Sequence, residues 1–281
     1  MAYSYTETLD LLISLLDGLP TVSGAALIGS RARTEADASA DLDVLIFAAE
    51  PAPLLAGVGW LAPIGRVWAT TVDRELTDLP VRRVLLDGAI QVDLLILADD
   101  AVPALPAPSR RILADMARRG YVALKQGGPV PQLLDELAGE EIRSARPSQE
   151  EFAELVSRFW IDVVRSARRL ARGEVWSALR LIDGPLKDAM VVMQSWIVKA
   201  VKGADFDTFW DGRHLDVWAG QRFERDLGAS FAAFDPASVR AALIETMDQF
   251  RLQAIQAAQR WSLDYPETLD RRTTVWVRTL D

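Results

Sequence analysis

Ala26-Leu27-Ile28-Gly29-Ser30-Arg31-Ala32-Arg33, followed by Asp41-Leu42-Asp43 with ten residues between Ser30 and Asp41, is the stretch whose reading decides the fold. Ser23 to Ile28 is a short apolar run that stops at a glycine and a serine, the pattern of a buried strand ending in a tight turn. Leu42 to Ala48 is a second apolar run and reads as a second buried strand. Asp41 and Asp43 stand one residue apart at its entrance. Strand side chains alternate with a period of two, so the pair shares one face. Two carboxylates aimed the same way are costly to bury unpaired and fit a hard divalent cation such as Mg²⁺, which takes carboxylate and phosphate oxygens. Gly29 lets the backbone come close to phosphate oxygens. Ser30 offers a hydroxyl and an N–H, and a helix expected to start there adds a dipole that favours anions.

Working outward, Tyr5 to Leu19 carries Leu9, Leu12, Ile13 and Leu16 at helical spacing, and Gly18, Leu19 and Pro20 end it. Pro51 to Leu61 reads as a helix and Arg66 to Val72 as a third strand. Val81 to Leu86 and Ala89 to Leu97 flank Asp87-Gly88, the pattern of a hairpin with a two-residue turn. Its second arm contains Asp93 between Val92 and Leu94. An aspartate in so apolar a strand needs a reason. If that strand lies beside the Asp41–Asp43 strand, three carboxylates converge. Asp93, its pKa raised by like-charged neighbours, then suits a general base that takes the proton of an acceptor hydroxyl.

Each piece alone is common: paired aspartates occur at strand entrances, and a lone strand aspartate can be a buried acceptor. The ordered set (strand, glycine-serine turn, paired aspartates opening a strand, hairpin with a third aspartate) points to nucleotidyl transfer, in which metal ions offset charge on the phosphoryl group in flight.

Prolines gather at Pro103, Pro106, Pro108, Pro129 and Pro131, and a polar stretch, Glu141 to Glu150, follows. The domain boundary belongs there. Residues 1–140 form one expected domain and 150–281 a second. The second is almost wholly helical, with apolar residues three and four apart over Gln149–Leu170, Val175–Val201, Gln221–Leu227 and Pro236–Trp261. The expected fold class is α+β: a mixed sheet with flanking helices, then a helical bundle.

The chain has 281 residues, half of them hydrophobic, and no cysteine. That excludes disulfides, thiolate metal sites and cysteine nucleophiles, and it suits a reducing cytoplasm. One histidine, His214, excludes a multi-histidine metal site. No basic segment followed by an apolar stretch opens the chain and no apolar run is long enough to span a bilayer, so neither a signal peptide nor a membrane segment is expected. The net charge of -9 repels nucleic acid and attracts cations. No basic stripe for a template is seen, which speaks against a polynucleotide polymerase.

The glycine-serine turn with Asp41-Leu42-Asp43 resembles the signature of the nucleotidyltransferase superfamily that includes DNA polymerase beta. Further segments are similar to bacterial aminoglycoside 6-adenylyltransferases, the streptomycin-modifying group. They are Gly59-Trp60-Leu61 with Gly65; Leu85-Leu86-Asp87-Gly88 into Gln91-Val92-Asp93-Leu94; Phe159-Trp160; Ser195-Trp196 with Gly212-Arg213-His214; and Tyr265-Pro266-Glu267 with Arg271 or Arg272. The resemblance implies ATP as co-substrate, Mg²⁺, and AMP transfer to an aminoglycoside hydroxyl. It places Gly29 and Ser30 at the triphosphate, with Arg31 as a further phosphate contact or a surface arginine. Asp41 and Asp43 hold the metal, joined by Asp93, which is also the base. The helical half takes the acceptor, and a monomer is favoured.

Lys187 and Arg213 are cations that could reach the triphosphate from the helical half. Lys187 could equally snorkel at a surface, and Arg213-His214, after the Asp211-Gly212 turn, could cap a helix. Asp162, Glu174, Asp183 and Asp188 are the carboxylates considered for a cationic acceptor. The many tryptophans of this half, Trp160, Trp176, Trp196, Trp210, Trp218 and Trp261, read mostly as core, with one or two available to stack on adenine or a sugar. Two competing readings stay open: the same chemistry on a lincosamide, another small alcohol or a protein side chain, and an inactive nucleotide-binding or scaffold protein.

Overall fold

The computed structural model describes residues 4–33, 40–73, 79–127, 130–139, 146–209 and 212–280. Trp210, Asp211, Pro129 and residues 141–145 of the polar stretch lie outside them. The chain separates into two compact units, Met1–Ile142 and Arg143–Asp281.

The first unit begins with helix α1 (Tyr5–Gly18), started by a capping box in which Ser4 Oγ accepts from the Glu7 N–H and the Glu7 carboxylate accepts from the Ser4 N–H. Strand β1 (Val22–Ile28) leads to a single 3-10 turn, Ser30–Ala32, and strand β2 (Leu42–Ala48) follows. The helix expected after Ser30 is therefore only this short turn among the described residues. So short a turn has no macrodipole to offer an anion.

Helix α2 (Pro51–Ala56) stops at Gly57, and a 3-10 segment, Gly59–Ile64, takes over. The single helix expected from Pro51 to Leu61 is broken by these two glycines, and Pro63 lies inside the second piece. Strands β3 (Val67–Asp73), β4 (Val81–Leu86) and β5 (Ile90–Ala98) complete the run. The β4–β5 turn holds three residues rather than two, because Ala89 joins Gly88 at positive φ (60° and 86°).

The proline-dense segment holds helix α3 (Ala107–Arg119), strand β6 (Val122–Lys125) and helix α4 (Val130–Gly139). Pro106 and Pro108 stand at the start of α3, where a missing N–H costs nothing.

The six strands form one sheet in the order β3-β4-β5-β2-β1-β6, in which β2–β5 is the parallel pair. Alternation divides each strand between two cores. Leu42, Val44 and Ile46 pack with Leu12, Leu16, Leu61 and Ile64 on the α1 side. Leu45, Phe47, Leu95 and Leu97 pack with Leu113, Leu134 and Leu137 on the α3–α4 side.

The second unit is helical: α5 (Gln149–Ala171), α6 (Val175–Leu181), α7 (Lys187–Lys202), α8 (Leu215–Trp218), α9 (Gln221–Ala229), α10 (Pro236–Trp261) and α11 (Glu267–Thr279). The uninterrupted helix expected from Val175 to Val201 carries a π-helical turn, Ile182–Leu186. Pro185 lacks the N–H a regular turn needs, and the wider turn absorbs it without ending the helix. The Phe159 ring stacks on Phe250 at 3.6 Å between centroids, inside a core shared by α5, α7 and α10. Asp270 is buried there. It accepts from Arg251 Nε at 2.6 Å, Arg251 Nη2 at 2.7 Å, Thr274 Oγ1 at 2.9 Å and Tyr265 Oη at 2.9 Å. No described helix is long and apolar enough to cross a membrane.

Candidate active site

Asp43 is the second residue of β2 and Asp93 the fourth of β5, and the two are Cα partners in the parallel register. Parallel partners point to the same face, here the α3–α4 side, because Leu45 and Leu95, two residues further on, face that core. Asp41 precedes β2 by one residue and returns to that face by the same alternation. One carboxylate oxygen from each of Asp41, Asp43 and Asp93 lies within 4.8 Å of the others.

The Gly29–Ser30 turn abuts this cluster. Gly29 has φ 73°, and a Cβ there would lie 2.1 Å from Asp43 Oδ2. Both the conformation and the close carboxylate require glycine. Ser30 is half-buried at the opening of the turn.

Asp93 is 8% exposed and has three close partners or neighbours that sequence reading did not single out. Arg83 lies directly across from it on β4 and places Nη1 3.3 Å from Asp93 Oδ2, while its Nε is 3.3 Å from Asp73 Oδ2. Gln91 donates from Nε2 to Asp93 Oδ1 at 3.1 Å. Burial pushes the Asp93 carboxyl above its ordinary range. Arg83 and Gln91 pull it down, and Asp41 and Asp73 push it up. The rise expected from neighbouring carboxylates is thus present, but desolvation is its main cause. Counting outward from the two-residue Asp87-Gly88 turn read from the sequence would have put Val92 opposite Arg83; the third turn residue, Ala89, shifts the register and brings Asp93 there.

The remaining residues of interest lie elsewhere. Arg31 donates from Nε to the Ala40 carbonyl at 2.7 Å and stacks on Tyr5, with Cζ 3.9 Å from the ring centroid. Lys187 is buried in the second unit and donates to the Ser230 carbonyl at 2.9 Å and to Thr246 Oγ1 at 2.6 Å. Burial pushes its ammonium down to about 8, with Asp183 acting the other way. Arg213 is exposed in the same unit, and its carbonyl accepts from Trp218 Nε1. Among the acidic residues of that unit, Asp162 pairs with Arg165 and Glu174 with Arg169. Asp183 sits on the π-helical turn, its carboxyl pushed up by burial and pulled down by Lys187. Trp176 and Phe234 are exposed and meet edge to face at 6.4 Å.

A glycine turn against a trio of strand-borne carboxylates, on a mixed sheet followed by a helical unit, is the architecture of a nucleotidyltransferase. Residues 3–280 match the family model of streptomycin adenylyltransferase, and the chain belongs to that family. It is therefore a nucleotidyltransferase of the aminoglycoside adenylyltransferase type. Among solved structures, the chain is similar to an aminoglycoside 6-adenyltransferase from Bacillus subtilis at 14% identity and TM-score 0.48, covering 99% of this chain and 98% of that one. It is also similar to a nucleotidyltransferase-like protein from Exiguobacterium sibiricum at 10% identity and TM-score 0.39, covering 98% and 89%. A search of curated proteins finds no match.

Proposed function

We propose that this protein transfers AMP from ATP to a hydroxyl of a cationic aminoglycoside, streptomycin first among them, and that it requires Mg²⁺. The observation that carries the reading is the convergence of Asp41, Asp43 and Asp93 beside Gly29. An all-carboxylate donor set fits a hard divalent cation, and among the described residues no imidazole or thiolate joins it to favour a softer one. Asp41 and Asp43, with Asp93, would hold the metal. When bound, Mg²⁺ supplies charge neutralisation for the phosphoryl group and its leaving pyrophosphate.

The chain's own residues do the rest. The Gly29–Ser30 turn lets backbone and hydroxyl approach the triphosphate without a Cβ in the way. Asp93 takes the proton of the acceptor hydroxyl. Arg83 and Gln91 hold its carboxylate ionised and pointed. Residues 1–140 act as the catalytic domain and 150–281 as the acceptor-binding domain; of the two cations considered in the second domain, exposed Arg213 is the one offered to the nucleotide, because the buried Lys187 ammonium already donates to Ser230 and Thr246. The acidic balance of the chain favours a cationic acceptor. Dependence on ATP suits a cytoplasmic enzyme.

The test is pyrophosphate release with ATP, Mg²⁺ and a panel of streptomycin, other aminoglycosides, a lincosamide and a protein acceptor, with mass measurement of the product. Streptomycin should gain one AMP, and Asp43→Asn should abolish the gain. Release with the lincosamide or protein alone would replace the acceptor assignment. Undiminished turnover by Asp43→Asn would sink the metal assignment.

A further inference from the structure

Arg31 follows Ser30 directly, the position from which a cation would naturally be aimed at phosphate. Two of its contacts instead run inward. Its Nε donates to the carbonyl of Ala40, the residue before Asp41, at 2.7 Å. Its guanidinium lies 3.9 Å over the Tyr5 ring. Tyr5 is the first residue of α1, fixed there by the Ser4–Glu7 capping box. The Tyr5 hydroxyl in turn accepts from the Gln91 backbone N–H at 3.4 Å, and the Gln91 side chain donates to Asp93.

Two side chains therefore touch all three segments that build the site: the Gly29–Ser30 turn, the approach to Asp41, and β5 just before Asp93. We propose that Tyr5 and Arg31 form a strut that sets the distance between the glycine-serine turn and the metal-binding carboxylates, and that Arg31 is a positioning residue rather than a phosphate ligand. The inference rests on the metal-site reading above.

The physical case is one of rigidity. Asp41 lies outside the ladder of β2, so no strand hydrogen bond of its own fixes its approach, whereas Asp43 and Asp93 are held by register. Arg31 supplies the missing fixture by closing the turn directly onto Ala40. A guanidinium that is stacked on an aromatic face has fewer orientations to lose than a free one. Tyr5 thereby fixes Arg31, and Arg31 fixes Ala40. Displacing a positioned group by about 1 Å costs up to about a hundredfold in rate.

A phosphate ligand and a strut predict different things for Tyr5. If Arg31 bound phosphate, Arg31→Gln would raise KM for ATP and Tyr5→Leu would do little. For a strut, Arg31→Gln and Tyr5→Leu should each lower kcat roughly tenfold or more and raise the Mg²⁺ concentration for half-maximal activity. KM for ATP should stay within about twofold, and the double variant should be no worse than either single one. Tyr5→Phe, which keeps the ring, should recover most of the loss seen with Tyr5→Leu. An ATP-specific KM effect confined to Arg31, or additive losses in the double variant, would overturn the strut.

Titration calorimetry of Mg²⁺ in the presence of a non-hydrolysable ATP analogue separates the two levels. Absence of Mg²⁺ binding by the wild-type chain would remove the metal-site reading itself. Binding by the wild type that both variants leave unchanged would remove the strut alone.

Discussion

Asp43 and Asp93 stand side by side on adjacent parallel strands, although they are fifty positions apart in the chain. Parallel neighbours can be paired only by a crossover, and here α2, β3 and β4 supply it. Each strand is anchored on both faces by buried apolar residues, among them Leu42, Val44, Leu94 and Leu95, and this packing holds the backbone that carries the carboxylates at that end. The site thus depends on register, and a one-residue slip in either strand would turn an aspartate into the opposite core.

Asp41→Asn separates function from stability. Asp41 pushes the Asp93 carboxyl up, so its charge opposes that of its neighbour when no metal is present. Neutralising it should leave the melting temperature in chelator unchanged or higher. The kcat should fall at least about a hundredfold, because a ligand to the charge-stabilising ion is lost. Thermal melts in chelator and pyrophosphate-release kinetics check the two halves. A drop in melting temperature would show that Asp41 is a structural residue.

Gly29→Ala should cost activity out of proportion to stability. The backbone there adopts φ 73° and ψ -157°, a region open essentially to glycine alone, and holding an alanine in it costs about 1–3 kcal/mol. The added Cβ would stand 2.1 Å from Asp43 Oδ2, so the carboxylate must move. The expected loss in kcat is at least about tenfold with the fold retained. Steady-state kinetics beside urea unfolding would show it, and an alanine variant with full kcat would mean that Asp43 can shift without consequence.

Much of this site was legible because its rules are local. A period of two puts Asp41 and Asp43 on one face, and an aspartate inside Val92-Asp93-Leu94 stands out against its neighbours. What escaped was set by distance. Arg83 reads as an ordinary strand arginine until the hairpin register puts it opposite Asp93. Tyr5 reads as the start of an amphipathic helix until folding brings its hydroxyl to Gln91, a contact between residues far apart in sequence. Strand β6 is four residues long and pairs with β1, and nothing in Val122–Lys125 alone marks it as the sheet's last strand. The helices α3 and α4 hid behind prolines that mark helix starts as readily as loops.

Lys187 gives the second unit a pH signature. Its ammonium is pushed from 10.5 to about 8 by burial, so the folded chain gives up this proton earlier than the unfolded one. Between those two values the unfolded state binds more protons, and stability must rise with pH. At about 1.36 kcal/mol per pH unit the rise attributable to Lys187 is about 3 kcal/mol at most across the window. Lys187→Met should remove it. Denaturant unfolding of both proteins from pH 7 to pH 10 checks this, and parallel curves for the two would show that Lys187 stays charged.

The Asp270 cluster should behave in the opposite sense. Burial pushes the Asp270 carboxyl up, but hydrogen bonds from Arg251, Thr274 and Tyr265 outweigh it and hold the group below its ordinary value. Its contribution is therefore present above the ordinary carboxylate range and is lost as pH falls through the depressed folded value. Asp270→Asn leaves the Arg251 guanidinium, which donates to two carboxylates in the native protein, with the more exposed Asp248 as its remaining carboxylate beside Thr274 Oγ1. Removing the buried partner of such a pair costs up to about 3 kcal/mol, because the guanidinium loses its buried counter-ion and keeps only the one nearer solvent. Removing both charges should cost less, since no guanidinium is then held in the core without its buried carboxylate. The double variant Asp270→Asn with Arg251→Met is therefore expected to be more stable than Asp270→Asn alone. Urea denaturation at neutral pH measures the difference, and a double variant less stable than the single one would mean that Arg251 acts through its packing on Trp160, whose ring lies 5.7 Å from the guanidinium, rather than through its charge.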